Sequence, residues 1–132
     1  MIVDTSFIID LMDDKEEAIK KLTEIEKRDV TISVTPVTAF ELRYGALQYH
    51  DTESEKTKIN QTLDELSTRR LPLGWSQGNQ AAEIMHKLEK QGDKIEFEDV
   101  TIASLAKDTD QKILTGNPEH FQKINGVEVE SY

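Results

Sequence analysis

Four polar side chains, far apart in the sequence, are the residues of this chain best placed to do chemistry. Asp4 and Asn117 each come directly after a short apolar run that predicts a β-strand. Ligands of open α/β sheets bind outside the carboxyl ends of the strands, which is where these two residues are expected. Glu41 and Asp99 lie in segments with helical spacing. Together they form a candidate site of three carboxylates and one amide.

The two helical carboxylates are placed on or beside apolar surfaces. On a helix that begins at Val37, Glu41 lies on the same side as Val37 itself. From Asp99, an apolar face continues along the helix through Ile102 and Ala106. A carboxylate on such a surface has to be paired or bind a cation, because a lone buried charge is very costly.

Each of the four residues also has an ordinary structural explanation. Asp4 suits the N-cap of a helix, and Asp99 suits the first turn of one, where it complements the helix dipole. Glu41 could be half-exposed or paired with Arg43, and asparagine before proline is a common turn signal at position 117. The functional interpretation therefore depends on the four residues meeting in space.

Clustered carboxylates of this kind require a cation, because like charges raise each other's pKa. The chain contains no cysteine, so oxygen ligands select Mg²⁺ or Mn²⁺ rather than zinc. A metal held in this way lowers the pKa of water and stabilises the attacking and leaving oxygens of a phosphodiester. The pattern therefore favours metal-dependent phosphodiester hydrolysis.

The elements that must position these residues alternate between short strands and helices. Strands are predicted at 1–3, 31–35, 71–73, 112–115 and 127–129, and helices at 15–28, 37–49, 53–67, 77–91 and 100–108. Such alternation is typical of βαβ units. The sequence predicts one α/β domain over residues 1–132, with a four- or five-stranded, mostly parallel sheet and helices on both faces.

The composition fits a single domain and excludes several classes of protein. The chain has 132 residues, of which 36% are hydrophobic, with 26 acidic against 16 basic residues and a net charge of -10. A generic nucleic-acid binder would be basic, so a nucleic-acid substrate here needs a metal, a local basic patch or a partner. No apolar run approaches the roughly 20 residues of a membrane span, and no signal peptide is recognisable. We expect a soluble, cytoplasmic protein without a membrane partner.

Four segments, in order, resemble the motifs of PIN-domain nucleases. They are MIVDTSFII at 1–9, ELRYG at 41–45, DVTIAS at 99–104 and LTGNPEHF at 114–121. Their order and spacing and the chain length are similar to those of the VapC-type toxins of toxin–antitoxin pairs. The resemblance covers essentially the whole chain.

The resemblance implies a PIN-like three-layer α/β/α fold and an Mg²⁺- or Mn²⁺-dependent endoribonuclease. It implies RNA as substrate, a cognate VapB-like antitoxin that inhibits the enzyme, and a homodimer. Carried over by position, the metal-binding acids would be Asp4, Glu41 and Asp99. Asn117 would complete the catalytic set where many members have a fourth aspartate, and the supporting hydroxyls would come from Thr5, Ser6 and Thr115.

Two alternatives remain open beside this interpretation. Asn117 in place of an acid would suit a PIN-like module that has lost catalysis and serves in binding or as a scaffold. A DNA-directed PIN nuclease is the other, although such relatives usually carry more acids and a longer chain. Among the remaining residues, Trp75 is expected in the core or an interface, and His120 in local packing or turn bonding rather than catalysis.

Overall fold

Five parallel strands form one sheet at the centre of the protein. The computed structural model describes residues 1–132. In spatial order the strands are β3-β2-β1-β4-β5, with β1 at Ile2–Val3, β2 at Ser33–Val34, β3 at Arg69–Arg70, β4 at Ile113–Thr115 and β5 at Val129–Ser131. All four strand pairs are parallel. The predicted α/β class is confirmed.

Six helices connect the strands. They are α1 (Thr5–Met12), α2 (Glu16–Lys27), α3 (Pro36–Ala46), α4 (Thr52–Glu65), α5 (Trp75–Lys90) and α6 (Phe97–Thr109), followed by a short 3₁₀ helix at Pro118–His120. Two of the helix starts follow from local sequence. Asp4 accepts from the Thr5 amide at the start of α1. Thr35 caps α3, which has Pro36 at its first position. No helix has both the length and the apolar character to cross a membrane.

The sheet lies between two apolar clusters, which gives the predicted three layers. Neighbouring residues of one strand point to opposite faces, so Val3 belongs to one cluster and Ile2 to the other. The first cluster takes side chains from α1 to α4, including Phe7, and the second takes them from α5 and α6, including Ile102. Helices therefore cover both faces of the sheet.

The strand order creates a crevice between β1 and β4. The chain runs outward from β1 to β2 and β3, then crosses back to place β4 on the other side of β1. Ile2 is in register with Ile113, and Val3 with Leu114. Helices leave in opposite directions at such a switch point, so the carboxyl ends of the two strands border an open crevice. Asp4 lies at this crevice.

Two edge strands differ from their predicted positions. The strand predicted at 71–73 is wrong, because β3 pairs at Arg69–Arg70 and Pro72 has no amide with which to continue the ladder. Both side chains of β3 are exposed, so no apolar pattern marks it. The last strand lies two residues later than predicted, since Val129 takes the register position opposite Ile113.

Strand β5 is tied to α2 through the carboxylate of Glu130. Lys21 and Arg28 lie 3.0 Å and 2.6 Å from the same carboxylate oxygen. The hydrogen bond from Arg28, followed by the contact with Lys21, lowers the pKa of Glu130. A lowered pKa means that the interaction stabilises the fold above the unfolded-state pKa of about 4.5 and is lost as the pH falls below it.

We expect Glu130→Gln to lower the free energy of unfolding by less than about 1 kcal/mol at neutral pH, as for other partly exposed ion pairs. The difference between variant and parent should shrink as the pH is lowered through 4.5 and below. Urea unfolding across this range measures it, with Glu26→Gln, an exposed glutamate without an ion pair, as control. A constant difference at every pH would show that the charge of Glu130 does not matter.

Candidate active site

The Asp4 carboxylate is held at the crevice by hydrogen bonds from the first residues of α1 and from the last residue of β4. Its Oδ1 accepts from the Thr5 amide at 2.8 Å, so the predicted N-cap role is also present. Its Oδ2 accepts from the Ser6 hydroxyl at 3.2 Å and from the Thr115 hydroxyl at 2.8 Å. The Thr115 bond joins the ends of β1 and β4 across the switch point. These donors fix the orientation of the carboxylate.

Glu41 reaches the same crevice from α3. The Thr5 hydroxyl donates a hydrogen bond to Glu41 Oε2, which ties α3 to the start of α1. Burial raises the pKa of Glu41, the bond from Thr5 lowers it, and the negative charges of Asp4 and Glu98 raise it further. No salt bridge joins Glu41 to Arg43, so the ion-pair explanation of Glu41 is wrong.

Asp99 enters from the first turn of α6, with only 15% of its side chain exposed. Burial raises the pKa of Asp99 to about 6, and the charges of Asp4 and Glu41 act in the same direction. His120 opposes this shift, since its Nδ1 lies 3.1 Å from Asp99 Oδ2. Asp99 therefore lies close enough to Asp4 and Glu41 for their negative charges to affect its pKa.

Asn117 follows β4 as predicted, and it is exposed. Its backbone amide donates to the Thr115 hydroxyl at 3.0 Å, which leaves the Thr115 proton for Asp4. Its side chain does not cap the short 3₁₀ helix that it precedes. The backbone amide of Asn117 therefore helps to position the Thr115 hydroxyl. The side chain of Asn117 makes no capping hydrogen bond in the turn.

The predicted acids approach one another, but no group of three or more His, Asp or Glu side chains forms a ready-made metal site. The chemistry of the donor set nevertheless fits a hard divalent cation. Burial raises the pKa values of the Glu41 and Asp99 carboxyls, and the negative charges of neighbouring acids raise them further. A cation removes this repulsion, and Mg²⁺ and Mn²⁺ prefer carboxylate oxygens.

Two contributors were missed by reasoning from the sequence. His120 was expected in local packing, yet it is half-exposed and contacts Asp99. Glu98, beside Asp99 on α6, adds a negative charge that contributes to the raised pKa of Glu41. Neither effect follows from spacing, because each joins segments that only the folded chain brings together. Trp75, expected in the core or an interface, is 88% exposed and is not a core residue.

An open cleft of about 210 Å³ lies beside Asp99, between the start of α6 and the turn after β4. Asp99 and His120 line it, and its other charged lining residues are both acidic and basic: Asp93, Lys94, Glu96, Glu119 and Lys123. Lys123 is paired with Asp93 at 2.5 Å. The cleft gives a ligand access to the Asp99 carboxylate.

Comparison with known protein families identifies the architecture around this crevice. The model of the PIN domain matches residues 1–127, nearly the whole chain. The chain belongs to the PIN domain family. The motifs that carried the resemblance lie within the matched residues, and PIN domains are generally nucleases.

Several solved structures with the fold of this PIN domain are VapBC or FitAB structures. The chain is similar to VapBC2 from Rickettsia felis bound to promoter DNA, with 20% identity, a TM-score of 0.88 and coverage of 99% of this chain and 97% of that one. It is similar to DNA-bound VapBC from Salmonella typhimurium, with 21% identity, a TM-score of 0.85 and coverage of 98% and 96%.

A third similar structure is FitAcB from Neisseria gonorrhoeae, with 21% identity, a TM-score of 0.80 and coverage of 97% of this chain and 94% of that one. At these identities the likeness is one of fold. No curated protein matches the sequence. The family model thus identifies the PIN domain, and the similar solved structures share its fold.

Proposed function

We propose that this PIN domain is a metal-dependent endoribonuclease and the toxin of a toxin–antitoxin pair. The observation that supports the proposal is the arrangement at the β1/β4 switch point: the Thr115 hydroxyl donates to Asp4, the neighbouring Thr5 hydroxyl donates to Glu41, and the charges of both acids act on Asp99. Structural ion pairs alone do not explain this arrangement, since neither Asp4 nor Glu41 makes a salt bridge and the only partner of this kind is the His120 imidazole beside Asp99.

Asp4, Glu41 and Asp99 would hold an Mg²⁺ or Mn²⁺ ion. When bound, such an ion would supply an activated water and stabilise the charge on the phosphodiester oxygens. The protein's own contribution is orientation: Thr115 and Ser6 fix Asp4, Thr5 fixes Glu41, and His120 fixes Asp99. Groups that orient metal-binding residues in this way commonly change metal affinity by about 10- to 100-fold when removed.

The partners in this proposal are RNA, a second copy of the chain and an antitoxin. Solved structures of the same fold include toxin–antitoxin complexes, which supports the antitoxin. Exposed apolar side chains on α3 support the homodimer: the rings of Phe40 and Tyr44 are stacked 5.8 Å apart, and Leu47 continues the stripe. RNA and antitoxin would both be met in the cytoplasm.

A scaffold module without catalysis is the second candidate, and Asn117 favours it, because an acid there would add a fourth negative charge. We expect Asn117→Asp to tighten Mn²⁺ binding, since Asn117 lies beside Thr115 and Asp4. Isothermal calorimetry of both proteins measures the change, with Asn125→Asp, an exposed asparagine in a later turn, as control. Equal Mn²⁺ affinities for parent and Asn117→Asp would place residue 117 outside the metal's surroundings.

A DNA-directed nuclease is the third candidate, and matched substrates separate it from the proposal. Single-stranded RNA and DNA of the same sequence are incubated with the protein and Mn²⁺. We expect cleavage of RNA and little of DNA, because a protein that uses RNA can read its 2′-hydroxyl. Equal cleavage of both, or cleavage of DNA alone, would overturn the RNA assignment and leave the metal site standing.

A further inference from the structure

A tyrosine at the carboxyl end of β5 lies beside the acid site. Thr115, the last residue of β4, is in register with Ser131, so Tyr132 follows at the same edge of the sheet as the acids. The Tyr132 hydroxyl donates to Asp10 Oδ2 on α1 at 2.8 Å. The centroid of its ring lies 5.0 Å from that of Phe7, in an edge-on contact. The side chain therefore crosses the end of β4 and joins β5 to α1.

The backbone at Gly116 is the part of the site that this tyrosine approaches most closely. A methyl group added at Gly116 would lie 3.0 Å from the hydroxyl oxygen of Tyr132 and 3.4 Å from its Cζ, which is tighter than ordinary van der Waals contact. The same methyl group would lie 3.7 Å from Ser6 Oγ. Any larger residue at position 116 would therefore have to displace the tyrosine.

Ser6 connects this contact to Asp4. The Ser6 hydroxyl oxygen accepts from the Gly116 amide at 3.2 Å, and the hydroxyl donates to Asp4 Oδ2 at 3.2 Å. Burial raises the pKa of Tyr132, the hydrogen bond with Ser6 lowers it, and the bond to Asp10 raises it further. The tyrosine therefore stays protonated at neutral pH and keeps its bond to Asp10.

We propose that Tyr132 is a positioning residue for the Asp4 carboxylate. It fixes the Gly116 backbone and the Ser6 hydroxyl, and these in turn orient the carboxylate. The Thr115 hydroxyl also donates to Asp4 Oδ2, so loss of the Tyr132 hydroxyl should loosen the carboxylate without releasing it. The inference rests on the proposed function, in which Asp4 is a ligand of the metal. In the alternative, Tyr132 only fastens β5 to α1.

The variant Tyr132→Phe separates these two roles, because it keeps the ring that packs on Phe7 and removes the hydroxyl. We expect its Mn²⁺ affinity in calorimetry to fall by about threefold to tenfold, less than for a group bonded directly to a metal ligand. Tyr49→Phe, which changes an exposed tyrosine on the surface, is the matched control and should bind Mn²⁺ as the parent does. Thermal melts confirm that each variant is folded.

Gly116→Ala gives a sharper test, since its effect should depend on the tyrosine. Alone, it should weaken Mn²⁺ binding by about tenfold or more, because the new methyl group meets the Tyr132 hydroxyl. In the Gly116→Ala/Tyr132→Phe protein that oxygen is gone, and the affinity should return to within about twofold of Tyr132→Phe alone. Gly78→Ala is the control, since a methyl group there meets nothing within 4 Å.

Two backbone amides report the same contacts without any metal. The Gly116 amide donates to the Ser6 hydroxyl, and the Thr5 amide donates to Asp4 Oδ1. Hydrogen exchange of both amides is measured by NMR in EDTA. Tyr132→Phe should speed the exchange of both several-fold, while amides in the middle of α5 keep the rates of the parent.

Three results would overturn the inference. Unchanged Mn²⁺ affinity in Tyr132→Phe would leave a tyrosine that only fastens β5 to α1. Losses of affinity that simply add in the Gly116→Ala/Tyr132→Phe protein would show that the two residues do not act through one another. Unchanged exchange of both amides would show that the hydroxyl does not order the site. A parent protein that binds no Mn²⁺ would contradict the proposed function instead, and the two amides would still decide for or against Tyr132.

Discussion

Replacing Asp99 by asparagine should reduce RNA cleavage by at least about a hundredfold, more than the loss of a group that only orients a metal ligand. The substitution keeps the size of the side chain and an oxygen that can accept the hydrogen bond from His120. It removes the negative charge that the proposed cation requires. The rate of cleavage at saturating Mn²⁺ measures the effect.

The same substitution should stabilise the metal-free protein at neutral pH. The pKa of Asp99 is raised from 3.8 to about 6 in the folded state, so the fold disfavours the ionised carboxylate. Stability therefore falls as the pH rises from the unfolded to the folded pKa, and the penalty is complete above it. We expect Asp99→Asn to raise the free energy of unfolding by about 1–3 kcal/mol near neutral pH, and by little below pH 3.8.

Urea unfolding in EDTA tests the stability prediction, with Asp110→Asn as control. Asp110 lies at the other end of α6, in the left-handed conformation that asparagine tolerates well. The control should show neither the loss of cleavage nor the gain in stability. An Asp99→Asn protein that is as active as the parent would remove Asp99 from the site, and one that is less stable at neutral pH would contradict the raised pKa of the buried Asp99 carboxyl.

The second large effect is expected at Thr115, whose buried hydroxyl connects the two sides of the switch point. It donates to Asp4 at 2.8 Å and accepts from the Asn117 amide at 3.0 Å. Thr115→Val keeps the shape and removes both bonds. We expect Mn²⁺ affinity to fall by about 10- to 100-fold and the free energy of unfolding to fall by about 1–3 kcal/mol.

A matched control for Thr115 is available on α6. Thr101 is equally buried, but its hydroxyl bonds only to the Phe97 carbonyl within the helix. Thr101→Val should leave Mn²⁺ affinity unchanged in calorimetry. If Thr115→Val lost stability but bound Mn²⁺ as the parent does, the hydroxyl would be structural and would not position Asp4.

Much of the fold follows from patterns that are local in sequence. The buried strands β1 and β4 and the amphipathic helices carry clear apolar periods, and their alternation specifies a parallel sheet. The positions of Asp4 and Asn117 at strand ends follow from the same patterns. Strand β3 could not be found in this way, because its residues are exposed and only pairing with β2 defines it.

The sequence and the resemblance together pointed to the three acids and to the hydroxyls of Thr5, Ser6 and Thr115, but not to the histidine beside Asp99. Asp4, Glu41 and Asp99 stand out because carboxylates beside apolar surface need an explanation. The contact of His120 with Asp99, and the action of Glu98 on Glu41, depend on the angles at which segments meet. Spacing along the chain carries no information about those angles.

RNA cleavage by the purified protein is the most direct test of whether it is a metal-dependent ribonuclease. A mixed pool of tRNA and rRNA is incubated with Mg²⁺, with Mn²⁺ and with EDTA, beside an Asp4→Ala protein whose folding is checked by its thermal melt. We expect the parent protein to cleave RNA only when the metal is present, and the Asp4→Ala protein not to cleave it. Cleavage that persists in EDTA or in Asp4→Ala, or no cleavage together with no Mn²⁺ binding by calorimetry, would contradict it.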